Sequence, residues 1–258
     1  MLRWLPALAV LAGGPLVAHA QPSGEAAAEA SASPSGAAET ETAAPDEEAA
    51  ESASVSHGVP DRGRLTRGEA LTETPHLFVR ISRRSAHYGT AELVGLIQRA
   101  ADEVWERHPG PKLVVGDLSR PRGGRNPPHR SHQSGRDADV SIFVTDLDGA
   151  SVEPSRFVAL APTTGCGRDE GGTYCLDPRR TFLFIVALLE DEVAQVRFVL
   201  IAADLRQLVL AAGRRADVSD EMLRRVEEVT ALRDGSASHR SHLHVRIECP
   251  ADDRGCGN

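Results

Sequence analysis

The chain has 258 residues, of which 41% are hydrophobic and only 4% aromatic, and its formal net charge is −8. Most of that charge lies in residues 21–58, which contain acidic side chains but no Lys or Arg. From Val59 onward the chain has 28 basic and 29 acidic residues and is therefore nearly neutral. Because it lacks the basic surface with which proteins bind nucleic acids, we expect no nucleic-acid partner.

Residues 1–20 have the pattern of a secretory signal peptide. An apolar run from Leu5 to Val17 follows a basic residue, and Ala18-His-Ala20 has the small residues of a cleavage site. The run is too short and too interrupted for a good membrane span, and an uncleaved N-terminal anchor is the alternative. We expect export to the periplasm, with no stable membrane insertion after cleavage.

Residues 21–58 are predicted to be a disordered acidic spacer. Ala, Glu, Ser, Pro and Gly dominate this segment, and it has no aromatic residue. Such a composition cannot bury enough apolar surface to fold. Residues 59–258 are long enough for one domain with its own core.

The pattern of the remaining chain predicts helices and strands in alternation. Helices are predicted at Ala91–Arg107 after the N-cap Thr90, at Arg179–Val193 after Asp177-Pro178, at Ala203–Arg215 and at Ser219–Leu232. Strands are predicted at Leu77–Val79, Lys112–Val115, Ala138–Val144, Val196–Ala202 and His239–Ile247. The segment Asp146–Asp177 is predicted to be an irregular insertion. This order predicts a single α+β domain with a small, mainly antiparallel sheet flanked by helices.

The four cysteines favour two disulfides, because their number is even and the chain is expected to be exported. Their short separations favour Cys166–Cys175 and Cys249–Cys256, although the sequence alone permits three pairings. A zinc site ligated by cysteines is the alternative, but no CxxC spacing supports it.

Two short segments contain five of the ten histidines. In the predicted strand His239–Ile247, alternation places His242, His244 and Arg246 on one face and apolar residues on the other. The second segment contains His132 and Asp139. Together His132, Asp139 and His244 provide two nitrogens and one carboxylate oxygen, a ligand set for Zn²⁺ that leaves the fourth position for water.

The other histidines of these segments are candidates for catalytic roles. His242 lies on the same strand face as His244 and is placed to act as a general base. His129 and His239 are placed to hydrogen-bond a developing oxyanion or to orient the ligands. The alternative is two histidine clusters at the surface or in a polar core. The sequence has no HExxH, GxSxG or P-loop motif that would indicate another enzyme class.

Four motifs carry a resemblance to a known family: Gly116-Asp-Leu-Ser119, Pro121-Arg-Gly-Gly124, Ser131-His-Gln-Ser-Gly-Arg-Asp-Ala-Asp139 and His242-Leu-His-Val-Arg-Ile-Glu-Cys-Pro250. They resemble those of the penicillin-insensitive murein endopeptidases. That family is part of a wider group of zinc peptidases with lysostaphin-type enzymes, D-Ala-D-Ala peptidases and the hedgehog fold. The resemblance spans roughly Gly116 to Cys256.

The resemblance implies residue roles and a substrate. It implies zinc ligands at His132, Asp139 and His244, an essential non-ligand histidine at His242, further active-site histidines at His129 and His239, and a disulfide Cys249–Cys256. It also implies cleavage of the D-alanyl–meso-diaminopimelyl bond in cross-linked peptidoglycan. The alternatives are a D-Ala-D-Ala carboxypeptidase or dipeptidase of the same fold and a non-catalytic, zinc-containing wall-binding module. The sequence leaves the oligomeric state open.

Overall fold

A five-stranded sheet forms the centre of the fold. The computed structural model describes residues 53–80, 85–231 and 239–258. From one edge to the other, the strands are β12 (Val196–Leu200), β13 (His242–Ile247), β7 (Asp137–Ser141), β6 (Leu113–Val115) and β4 (Leu77–Val79). All neighbours pair antiparallel except β4 and β6, which are parallel. The prediction of a small, mainly antiparallel sheet in an α+β domain is confirmed.

The four helices predicted from the sequence are present. They are α1 (Ala91–Arg107), α2 (Pro178–Glu190), α3 (Ala203–Gly213) and α4 (Asp220–Val229). The side chains of Thr90, Asp177 and Ser219 accept hydrogen bonds from backbone N–H groups in the first turns of α1, α2 and α4, which satisfies donors that the helix itself leaves unpaired. Apolar residues of all four helices and of the central sheet join in one core.

The predicted irregular insertion Asp146–Asp177 contains strands. The strands β8 (Val144–Thr145), β9 (Ser151–Val152), β10 (Cys166–Asp169) and β11 (Gly172–Leu176) form a second sheet in the order β10-β11-β8-β9. Cys166 pairs with Cys175 across β10 and β11, and a disulfide joins them. Short strands rich in Gly and Cys have no clear alternation, so the sequence pattern did not indicate this sheet.

A hairpin spans the predicted boundary between the spacer and the folded domain. It consists of β1 (Val55–Val59) and β2 (Arg62–Thr66), so ordered structure begins shortly before the predicted boundary at residue 59. Its anchors are distant in sequence: the backbone N of Ser56 donates to Asp253 Oδ2 at 2.7 Å. Local composition cannot reveal such partners. The predicted signal peptide and most of the predicted spacer lie outside the described residues and stay predictions.

Both predicted disulfides are present, Cys166–Cys175 and Cys249–Cys256. The second closes the segment that follows β13. Next to it, the fully buried guanidinium of Arg136 donates to the backbone oxygens of Ile247 and Gly257, which ties the end of β13 to the C-terminus. Two further short strands, β3 (Glu69–Ala70) and β5 (Tyr88–Gly89), pair antiparallel. Within the described ranges, no helix has both the length and the apolar character that crossing a membrane requires.

Candidate metal centre

Two paired strands provide one half of the site. The register of β7 and β13 places His242 opposite Ser141, His244 opposite Asp139 and Arg246 opposite Asp137. Residues directly opposite in an antiparallel pair project from the same face, so these polar side chains share one face of the sheet. The residues between them, such as Leu243 and Val245, are fully buried in the core. The alternation expected from the sequence is therefore present in both strands.

The loop between β6 and β7, residues 116–136, provides the other half. His132 has a φ of 63°, a left-handed conformation that side chains rarely adopt. Its carbonyl oxygen accepts from Ser119 Oγ at 2.9 Å. Its Nδ1 lies 3.1 Å from the carbonyl oxygen of Leu118. A proton on Nδ1 donates to this oxygen, which leaves Nε2 with a free lone pair facing the strands.

Three donor atoms converge between the two halves. His132 Nε2 and Asp139 Oδ1 are 3.3 Å apart, His244 Nδ1 and Asp139 Oδ1 are 3.1 Å apart, and the two nitrogens are 3.2 Å apart. All three side chains are buried. Bonds of about 2.0–2.1 Å in a tetrahedral site separate ligand atoms by about 3.3 Å. The spacing of this trio therefore fits the coordination of a zinc-sized cation.

His129 lies beside the same carboxylate. Its Nδ1 is 3.4 Å from Asp139 Oδ2, and its Nε2 is 2.9 Å from Asp117 Oδ2. The hydrogen bond with Asp117 raises the pKa of His129 above its usual value. Ligand atoms of His129, His132 and Asp139 also lie within 4.8 Å of one another, so a His–His–Asp group at this place could hold a metal ion.

Asp137 orients His244. Its Oδ1 lies 2.8 Å from His244 Nε2 and 2.6 Å from Arg246 Nε, and the side chain is fully buried. Burial acts to raise the pKa of Asp137, but the hydrogen bond from His244 and the nearby positive charges outweigh it and lower the pKa to about 2. The ionised carboxylate accepts from Nε2 of His244 and thereby directs Nδ1 towards the other donor atoms.

His242 lies next to the trio without belonging to it. Its Nε2 is 3.6 Å from Asp139 Oδ1, and its Nδ1 is 3.1 Å from Ser241 Oγ. The ring of Phe157 stacks on the imidazole, with centroids 5.5 Å apart and planes 18° apart. Burial lowers the pKa of His242 to about 4. The imidazole is thus neutral near pH 7 and able to accept a proton.

All six residues expected at the site line one cleft of about 520 Å³. They are His129, His132, Asp139, His239, His242 and His244. His239 completes the group, since its ring centroid lies 5.3 Å from that of His242 and 5.8 Å from that of His244.

The sequence interpretation missed several side chains that contact this group. Asp137 directly precedes the predicted strand Ala138–Val144 and continues its alternation. Phe198 lies on the predicted strand Val196–Ala202 and stacks on His244 with centroids 6.1 Å apart. Asp117 follows a predicted strand, which is a position where polar residues often serve a site. No sequence pattern indicated that Phe157 would lie at the site, because it belongs to a segment without hydrophobic periodicity.

The fold and the donor set define a class of protein: an α+β domain in which His and Asp side chains that could hold a metal ion gather at the polar face of the central sheet. A comparison with family models agrees with this class. The model described as "Penicillin-insensitive murein endopeptidase" matches residues 56–258. The chain therefore belongs to the penicillin-insensitive murein endopeptidase family.

Curated relatives carry the same description. Proteins named "Penicillin-insensitive murein endopeptidase" from Escherichia coli O139:H28 (strain E24377A / ETEC), Escherichia coli (strain K12 / DH10B) and Shigella boydii serotype 18 (strain CDC 3083-94 / BS512) are each 29% identical to this chain over 185 residues. Each match covers 71% of this chain and 62% of the relative. The chain thus spans less than two thirds of the length of these relatives.

Proposed function

We propose that this protein is an exported zinc metallopeptidase that hydrolyses peptide cross-links of peptidoglycan, with the D-alanyl–meso-diaminopimelyl bond as its substrate. One observation carries the proposal. Three buried donor atoms converge at zinc-like spacing beside a neutral imidazole, in a cleft of a chain from the murein endopeptidase family. The names of the relatives support murein as the substrate.

The proposed ligands are His132 Nε2, Asp139 Oδ1 and His244 Nδ1. His244 is favoured over His129 because its nitrogen lies near the same carboxylate oxygen that His132 approaches, whereas His129 faces the other oxygen. Two imidazoles and one carboxylate are typical of catalytic zinc, while Mg²⁺ and Ca²⁺ prefer sites made of oxygens. The orienting partners support this choice, since Leu118 and Asp137 each bind the ring nitrogen that is not used.

His242 is proposed as the general base. Zinc in the site would supply a Lewis acid for the scissile carbonyl and would lower the pKa of a coordinated water. The Nε2 of His242 faces the ligand group and is neutral, so it can take a proton from the attacking water and later deliver it to the leaving amine. Ser241 Oγ, near Nδ1, orients the ring.

His129 and His239 are proposed to stabilise the oxyanion. The hydrogen bond with Asp117 raises the pKa of His129, so this imidazole keeps its second proton to a higher pH than a free histidine does. A protonated imidazole at the edge of the cleft is a donor for a substrate oxygen that becomes negative. His239 lines the same cleft beside His242 and can contribute a second donor.

Export is supported by the two disulfides, which persist in oxidising compartments such as the periplasm and are rare in the cytosol. This agrees with the signal pattern expected for residues 1–20. Peptidoglycan lies in the same compartment, so the proposed location and the proposed substrate are consistent with each other.

The test uses the purified full chain. We expect about one zinc ion per chain by elemental analysis, and we expect cross-linked muropeptide dimers to be cut to monomers, as resolved by chromatography and mass spectrometry. His242→Ala should keep its zinc but lose about 10²–10⁴-fold in turnover. His57→Ala is the matched control, since His57 lies in the β1–β2 hairpin with its ring 2.9 Å from Thr66 Oγ1.

Two other outcomes would replace the proposal. Removal of only the terminal D-Ala from linear pentapeptides would indicate a carboxypeptidase of the same fold. Zinc-loaded protein that binds peptidoglycan but leaves dimers and pentapeptides intact would indicate a non-catalytic wall-binding module.

A further inference from the structure

Phe157 reaches the site from outside both of its halves. It belongs to the connection between β9 and β10, which leads into the sheet of the Cys166–Cys175 disulfide. Its ring stacks nearly parallel to the imidazole of His242, with the planes 18° and the centroids 5.5 Å apart. Phe157 thus packs directly on an imidazole that lines the cleft.

Three contacts hold the Phe157 ring in this place. A Cβ added to Gly116 would lie 2.7 Å from Phe157 Cζ, so the ring occupies space that only glycine leaves open. The guanidinium carbon of Arg80 lies 5.2 Å from the centroid of the Phe157 ring, within the range of a cation–π interaction. His242 is the third contact. The ring therefore has little freedom to tilt away from the imidazole.

The segment that carries Phe157 is also attached to the strand side of the site. The backbone N of Leu160 donates to the carbonyl oxygen of Arg240, and Arg240 Nε donates back to the carbonyl oxygen of Leu160. Arg240 is itself fixed by two bonds to Asp204, at 2.7 and 2.6 Å. Arg240 lies two residues before His242 in the chain. These bonds therefore fix the β9–β10 connection, which carries Phe157, relative to the backbone of His242.

We infer that Phe157 is a positioning residue for His242: its ring fixes the plane of the imidazole so that Nε2 stays directed at the ligand group. The inference rests on the function proposed above, in which His242 is the general base. Within the described ranges, the side-chain hydrogen bond that orients His242 is the one to Ser241 Oγ, and the ring of His239 contacts the imidazole edge-on. Stacking against Phe157 restricts the rotation about this hydrogen bond.

The first test replaces the Phe157 ring. Phe157→Ala should lower kcat by about 10²-fold, the scale of loss when a catalytic group is displaced by about 1 Å. KM and zinc content should stay within about twofold, because the contacts that hold the Phe157 ring involve His242, Arg80 and Gly116 and not the proposed zinc ligands. Phe157→Leu keeps an apolar side chain but not the planar ring, so it should lose nearly as much kcat as Phe157→Ala. A loss of zinc in Phe157→Ala, or a Phe157→Leu variant with the kcat of wild type, would overturn the inference.

The second test displaces the ring without removing it. Gly116→Ala introduces the 2.7 Å conflict with Phe157, whereas the nearest backbone atom in reach, Asp139 O, is at an ordinary 3.5 Å. Gly116→Ala should therefore lower kcat in the wild-type background but have little further effect when combined with Phe157→Ala. Equal losses in both backgrounds would show that Gly116 acts through the backbone and not through Phe157.

A third readout does not depend on activity. In the zinc-loaded protein, the ring centroids of Phe157 and His242 are close enough for the Phe157 ring current to affect the NMR signals of the imidazole protons. His242→Ala assigns those signals, and Phe157→Ala should shift them. If wild type leaves every cross-link intact, the proposed function fails, while this shift still tests whether the Phe157 ring lies against His242, the contact on which the inference rests. An unchanged shift in Phe157→Ala would refute the inference.

Discussion

The two halves of the site are positioned in different ways. The strand half consists of Asp139, His242 and His244 on β7 and β13, where five consecutive residue pairs set the register. The loop half consists of His129 and His132 in residues 116–136. There the backbone follows no continuous ladder. Isolated backbone hydrogen bonds, such as those between Tyr88 and Ser119, fix it together with the side-chain hydrogen bonds of Ser119 and Asn126.

The two halves should differ in how well they tolerate substitutions. In a ladder, each position is fixed by several backbone hydrogen bonds that no side-chain substitution removes. In the loop, the unusual φ of His132 persists only because surrounding bonds over-determine it. We therefore expect the strand half to tolerate changes in its supporting side chains better than the loop half does.

The largest expected effect tests whether the third zinc ligand is His244 of the strand half or His129 of the loop half. His244→Ala should abolish stoichiometric zinc binding, because it removes one of three converging donors. His129→Ala should keep its zinc and lose only turnover, because its Nδ1 faces the other oxygen of Asp139. Metal content after dialysis against a weak chelator measures the difference. Retention of zinc by His244→Ala together with its loss in His129→Ala would assign the third ligand to the loop half instead.

The next effect tests the orienting carboxylate of the strand half. Asp137→Asn should weaken zinc binding by about 10–100-fold, the usual loss when the partner of a ligating histidine is removed. The matched change in the loop half is Asp117→Asn, which alters the partner of His129. It should leave zinc affinity within about threefold and reduce turnover. Competition with a fluorescent zinc chelator gives both affinities.

If Asp137→Asn and Asp117→Asn lowered the zinc affinity equally, the prediction that Asp137 supports a zinc ligand and Asp117 does not would be wrong. Asp148→Asn is the control for the chemical change itself, because Asp148 is exposed in the turn after β8. It should behave as wild type in zinc affinity and in turnover.

The strand half was accessible to prediction from sequence. Alternation alone indicated that His242 and His244 share a face, and the same rule on β7 indicates the faces of Asp137 and Asp139. The helix starts at Thr90, Asp177 and Ser219 followed from local capping chemistry. In both cases the signal lies within a few residues, so it survives without knowledge of the tertiary structure.

The loop half and its surroundings were less accessible. The motif containing His132 and Asp139 indicated ligands, but nothing local showed that Ser119 would hold His132 or that Asp117 would pair with His129. Phe157 contacts His242 across more than eighty residues of chain. The β1–β2 hairpin depends in the same way on Asp253. Such contacts are decided by the assembled fold, and short-range patterns do not encode them.

The smallest expected effect compares two buried serines that support the two halves. Ser119 Oγ donates to His132 O and accepts from Gly135 N, both at 2.9 Å. Ser119→Ala leaves that N–H unpaired and should cost about 1–3 kcal/mol of unfolding free energy. At about 2–4 °C per kcal/mol, the melting temperature should fall by several degrees. Turnover should fall by up to about tenfold, because His132 loses its support.

Ser141 on β7 is the matched residue of the strand half, since its Oγ accepts from Val114 N at 3.3 Å. Ser141→Ala should also lower the melting temperature by several degrees, because it too leaves a buried N–H unpaired. Turnover should nevertheless stay near that of wild type, since the pairing of Ser141 with His242 uses the backbone. Differential scanning fluorimetry and muropeptide kinetics on both variants separate stability from positioning. Equal losses of turnover would mean that the ladder protects the strand half no better than side-chain bonds protect the loop half.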